Sequence, residues 1–186
     1  MIVRVAGSEQ LALTVEHYMA AVSEELLSRE ITVKSMRGCG PYHDGDYYFP
    51  DAEGEISVVA AGAGRSSFTL YWSGTSGWCC EFEADDSFDE EARWMCTGLL
   101  PPPGEVALSF DALINDSSGV GSEEAPVYRK AGENLPELME LLKEYAPEGS
   151  DDLLPSQRLI DARQDMYVRR IMDLLHRWDA RPSRRP

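Results

Sequence analysis

The stretch from Phe68 to Ile114 constrains this chain more than any other. Alternation of period two sets Phe68, Leu70 and Trp72 on one face of a strand and Thr69 and Tyr71 on the other. The residues from Ser73 to Gly77 turn the chain. Trp78, Cys80 and Phe82 then alternate with Cys79, Glu81 and Glu83, the pattern of a strand with one buried and one wet face. The two strands read as an antiparallel hairpin. Asp85, Asp86 and Asp89 interrupt the pattern, and Trp94, Met95 and Cys96 restart it as a third strand. That strand ends at Pro101, Pro102 and Pro103, because proline cannot donate to a ladder. Pro103 suits the first turn of a helix, in which Val106, Phe110, Leu113 and Ile114 fall at i, i+4, i+7 and i+8.

The pairs and triplets in this stretch, Gly77-Trp78, Glu81-Phe82-Glu83 and Leu100 to Pro103, together with His17 to Val22 upstream, resemble an uncharacterised actinobacterial family, a domain of unknown function. Its members carry a hairpin ending in Gly-Trp, an acidic strand exit and a Leu-Pro-Pro-Pro helix entry. The likeness spans roughly residues 9–115. It implies a shared fold and lineage, and it brings no catalytic residues with it.

Upstream, residues 2–6 suggest an edge strand. From Ser8, read as an N-cap, a helix is predicted to Ser28, with Leu11, Val15, Tyr18, Val22 and Leu26 along one stripe. A strand follows at Ile31 to Ser35. The segment Arg37 to Gly54, rich in Gly, Pro, Asp and Tyr, is too long for a tight hairpin and is predicted to be a loop. Residues 55–62 give the next strand. These elements predict an α+β fold: a two-layer arrangement of four to five antiparallel strands with helices on one face, plus a C-terminal helical pair. The domain is expected over 1–115, a flexible linker over 116–134, a helical segment over 135–180 and a disordered tail over 181–186. In the helical segment, Asn134 is read as the cap of a helix over Leu135 to Ala146. Ser156 is read as the cap of a longer helix bearing Ile160, Tyr167, Ile171, Leu174, Leu175 and Trp178.

Charge narrows the function. The 17 basic and 33 acidic residues give a net charge of −16, which repels phosphate backbones and anionic membranes, so no direct nucleic-acid binding and no membrane association are expected. The last 36 residues hold eight arginines against six aspartates, a balance of +2, leaving −18 for residues 1–150. That asymmetry lets the C-terminal helix dock on an acidic body. No apolar run approaches a membrane span, the start lacks a secretory signal, and a cytoplasmic location with reduced thiols is expected for Cys39, Cys79, Cys80 and Cys96.

Chemistry is sparse. Cys39, His43, Asp44 and Asp46 bring a thiol, an imidazole and two carboxylates close together, but their spacing matches no metal motif, and neither metal nor cofactor is expected. The glycines of 60–65 lack a phosphate-loop ending. No catalytic set emerges, and a non-catalytic protein-interaction or regulatory module is the leading expectation. Its partner would be another protein or a second copy bound through the C-terminal helix. The residues proposed to carry such a surface, or a ligand site in the 37–54 loop, are Tyr42, His43, Asp44, Asp46, Tyr71, Trp78, Trp94 and Trp178. The alternatives are a small-ligand binder or enzyme using that loop, and an acidic mimic of nucleic acid.

Overall fold

The computed structural model describes residues 2–4, 7–59, 67–83, 90–115, 121–146 and 154–179. In chain order these form β1 (Ile2–Arg4), α1 (Ser8–Ser28), β2 (Thr32–Cys39), β3 (Tyr42–Asp44), β4 (Tyr47–Phe49), β5 (Glu53–Val59), β6 (Phe68–Ser73) and β7 (Gly77–Glu83). They continue with β8 (Glu90–Trp94), α2 (Pro103–Asn115), α3 (Leu135–Lys143) and α4 (Pro155–Asp179). The fold is α+β. A five-stranded antiparallel sheet runs in the order β2-β5-β6-β7-β8, and a three-stranded antiparallel sheet runs β1-β3-β4.

The hairpin of β6 and β7 takes the register its alternation implies, with Trp72 opposite Trp78 and Leu70 opposite Cys80. Pairing extends the pattern across the sheet. Gly38, Gly54, Trp72 and Trp78 make one cross-strand row on the core face, and Met36, Ile56, Leu70 and Cys80 make the next. Helix α1 lies against this face and buries Leu11, Val15, Tyr18, Val22 and Leu26. The facing glycines set its distance from the sheet. A Cβ on Gly38 would stand 2.8 Å from both the Glu16 backbone nitrogen and Val15 Cγ1, and one on Gly54 would run into the Met19 thioether, so only glycine allows so close an approach.

Tyr18 ties the layers together. Its hydroxyl donates to Pro101 O at 2.7 Å and accepts the Trp78 Nε1 proton at 2.9 Å, while Trp72 Nε1 donates to Leu99 O at 2.7 Å. The polar atoms of Tyr18, Trp72 and Trp78 thereby keep partners, and these three rings pack without an unpaired polar group. Helix α2 starts at Pro103 as predicted and meets the sheet through Phe110, whose ring stands edge-on to Phe68 at 5.4 Å.

Helices α2, α3 and α4 all pack against α1. Leu138, Leu142, Leu159 and Met166 join the same apolar cluster as Val15 and Trp72. The described part of the expected linker makes specific contacts as well. Ser122 exchanges two backbone hydrogen bonds with Trp94, and Tyr128 N donates to Thr75 O. Arg129 Nη1 reaches both oxygens of buried Asp51 at 2.7 and 2.8 Å and also donates to Gly74 O.

The structure corrects five local expectations. Ser156 lies inside α4, which begins at Pro155, and is not its cap. Residues 37–54 are not a loop: β2 continues to Cys39, and β3 and β4 form a hairpin around Gly45 and Asp46, with Gly45 at φ 60°. The two-residue Gly-Asp connection is the local cause. Ser8 is the first helical residue, preceded by Gly7 at φ 82°, and is not the cap. The strand expected over Trp94 to Cys96 ends at Trp94, because Cys96 at φ 56° turns the chain away. Helix α3 stops at Lys143, short of Ala146.

Candidate functional site

The face of the large sheet turned away from α1 carries the other set of alternating residues. Register aligns Arg37, Glu55, Tyr71, Cys79 and Trp94 in one row across all five strands, with Cys39, Glu53 and Ser73 in the row beside it. At the β2 end of these rows a cavity of about 310 Å³ opens between the sheet, Glu16 of α1 and Tyr42 at the start of β3.

Its charges are unevenly paired. Arg37 Nε donates to Glu55 Oε2 at 2.8 Å and a second nitrogen of the guanidinium contacts the same oxygen, so these two neutralise each other. The Glu53 carboxylate accepts no hydrogen bond among the described residues. Burial raises it above the usual carboxylate range, with Asp51 adding to the effect and Arg37 opposing it. Burial likewise raises the Tyr42 phenol, with Glu53 the next cause. Cys39 Sγ donates weakly to Glu53 O at 3.7 Å.

Of the residues singled out in the sequence, the cavity brings together Tyr42 and Tyr71. His43 is exposed on the β3–β4 hairpin, stacked on Tyr48 at 4.7 Å and outside the cavity, and Asp44 and Asp46 are exposed beside it. Trp78 is buried and serves the core. Trp94 is half-buried at the far end of the Tyr71 row, flanking buried Cys79. The Trp178 side chain lies outside the described residues, as do Asp85, Asp86 and Asp89 of the acidic exit, the glycine-rich 60–65 segment and the 181–186 tail. Arg37, Glu53, Glu55 and Glu16 were not singled out. Alternation within β2 and β5 would have put 37 with 39 and 53 with 55 on one face, but only the long-range register brings the pairs together.

All four cysteines are free, and burial, reinforced by Glu81, pushes the Cys79 thiol up to about 11. At neutral pH it is therefore the protonated, weakly nucleophilic form. Among the described residues no group of three or more His, Cys, Asp and Glu is placed to hold a metal ion, and no helix is long and apolar enough to cross a membrane.

Two further surfaces stand out. The hairpin aromatics Tyr47, Tyr48 and Phe49 are all exposed, Tyr47 at 76 %. Tyr42 stacks on Phe49 with ring centres 4.6 Å apart. The second surface is on α4, where Ile160, Tyr167, Val168, Ile171, Leu174 and Leu175 are exposed. Their spacing gathers these six on one side of the helix. No protein family, curated protein or solved structure matches this chain.

Proposed function

We propose that this chain is a non-catalytic interaction module that pairs with a second copy of itself through α4. The observation that carries the reading is the exposed stripe of that helix. Leu159 and Met166 are buried on the body side, whereas Ile171, Leu174 and Leu175 stand 53–62 % exposed farther along. An apolar helix face of this kind is stabilised by covering it. With on the order of 100 Å² exposed on each of six side chains, the stripe approaches the ~800 Å² per partner of a stable interface. A second copy supplies the same stripe, which is the requirement of a two-fold interface.

The rest of the reading follows from chemistry already given. The exposed His43 has no place in the cavity, which removes the only imidazole the 37–54 segment could offer a catalytic set. A net charge of −16 opposes direct binding to nucleic acid. Free thiols are consistent with a reducing, cytoplasmic compartment. Shared lineage with the actinobacterial family resembled by the Gly-Trp and Leu-Pro-Pro-Pro strings belongs to the same proposal.

Molar mass by light scattering tests it. The native full chain is expected to be a dimer, and the double variant Ile171→Asp, Leu174→Asp a monomer with unchanged far-ultraviolet dichroism. A native monomer across the accessible concentration range overturns the reading, and so does a variant that stays dimeric.

A further inference from the structure

We infer that the two copies joined through α4 lie parallel and in register, so that each residue of the exposed stripe meets its own counterpart across a two-fold axis running along the helix pair. This rests on the pairing proposed above and adds the direction of the second copy, which a self-complementary stripe does not fix.

Spacing comes first. Ile160, Gln164, Tyr167, Ile171 and Leu174 follow one another in steps of four, three, four and three residues, and all of them are exposed. That is the seam of a two-helix coil, with Gln164 and Ile171 at heptad position a and Ile160, Tyr167 and Leu174 at d. The columns beside the seam differ. On one side the g positions are Arg163 and Arg170, and both are tied to the body, Arg163 at Val33 O and Lys34 O and Arg170 at Glu30 O. Leu159 and Met166, at position c, are buried round the same side. On the other side the e positions Val168 and Leu175 are exposed and widen the seam. The body therefore sits to the g side of the seam, and the e side is open.

Direction follows from where these columns go. In a parallel pair the g column of one helix runs beside the e column of the other, which sends the two bodies to opposite flanks. In an antiparallel pair g runs beside g. An antiparallel overlap spanning Ile160 to Leu175 would then set both bodies on one flank and level with each other. Residues 1–150 carry −18, the −16 of the chain less the +2 of its last 36 residues, so that arrangement crowds two bodies of strong like charge. Gln164 points the same way. In parallel register its amide meets its own copy, and because an amide both donates and accepts, the pair satisfies itself. Antiparallel layers set a against d, which brings the amide to the partner's Tyr167 or Leu174 instead.

Cysteine cross-linking of the full chain reads the direction. In a Cys96→Ser background, which removes the exposed native thiol, Ile160→Cys and Leu174→Cys are each mildly oxidised and run on a non-reducing gel. Parallel register puts each new thiol within disulfide reach of its copy, so both variants should form covalent dimer about tenfold above the background protein. A mixture of the two variants, one enlarged by a tag, should give no mixed link, because fourteen residues of helix separate the positions by about 21 Å. A mixed link without self-links means an antiparallel pair and overturns the inference. A self-link at 174 without one at 160 means that only the helix tips overlap, and overturns it as well. Should either substitution weaken the dimer, Gln164→Cys and Ile171→Cys replace them, and both must again link to their own copies. Light scattering on the same samples keeps the two proposals apart. A dimer that lacks these self-links loses the direction alone, whereas a native monomer removes the pairing and the direction together.

Discussion

The two parts of α4 share one helix and both carry apolar residues, yet they meet different surroundings. Over residues 155–170, Leu159 and Met166 enter the core, and three arginines fasten the helix to the body. Arg158 holds both oxygens of Glu24 at 2.8 Å and donates to the carbonyls of His17 and Tyr145. Arg163 donates to Val33 O and Lys34 O, and Arg170 to Glu30 O at 3.0 Å. Residues 171–176 are all exposed. The contrast teaches that an amphipathic stripe announces a need for cover without naming what provides it. In the first half the cover is α1, and guanidinium groups donate to the backbone carbonyls of His17, Glu30, Val33, Lys34 and Tyr145.

That contrast can be broken by substitution. Met166→Ala should destabilise by about 2–4 kcal/mol, since it opens space in a packed core. Leu174→Ala, on the exposed half, should cost less than ~0.5 kcal/mol in the monomer. Urea denaturation reads both, and equal losses would erase the distinction between the halves. Arg158→Ala should cost about 2 kcal/mol, because Glu24 and two carbonyls lose their donor together. Lysine at that position should recover only part of it, having no planar fork to reach all three.

A smaller effect comes from pH. His17 is buried beneath the docked half, and burial lowers its pKa below 6.5, with Arg158 adding to the shift. The unfolded chain therefore takes up a proton before the folded one does. The contribution from neutral His17 is fully present above pH ~6.5 and is lost as pH falls through that value toward the folded pKa. Melting temperature measured downward from pH 7 should fall less steeply in His17→Gln than in the native protein. Parallel slopes would show that His17 carries none of the dependence.

How much of this was legible beforehand depended on whether the signal was local. Helix α1, the β6–β7 hairpin and the proline-started α2 follow from periodicities inside single segments, and the structure has them where periodicity puts them. The β3–β4 hairpin escaped because Tyr47-Tyr48-Phe49 does not alternate and each strand is three residues long, although Asp44-Gly45-Asp46 marks the turn. The cavity escaped for a different reason. Arg37, Glu53, Glu55 and Tyr71 come from three strands, and only pairing register puts them side by side. The charge asymmetry pointed toward docking of the C-terminal helix, but the acceptors of its arginines are chiefly backbone carbonyls, which no count of acidic residues reveals.

The order of strands in the large sheet has a consequence for how the chain reaches this state. Each strand pairs with the next one of that sheet along the chain, so only short or moderate closures are required, and β3–β4 is an excursion between two such neighbours. The bonds that seat α4 join residues 130 to 140 positions apart. Closing so long a segment is entropically costly until the surface that rewards it exists. The meander and α1 thus make the template, and α4 is the element that docks onto it late, which would leave the chain competent to fold its sheet before the last quarter of its sequence has found its place.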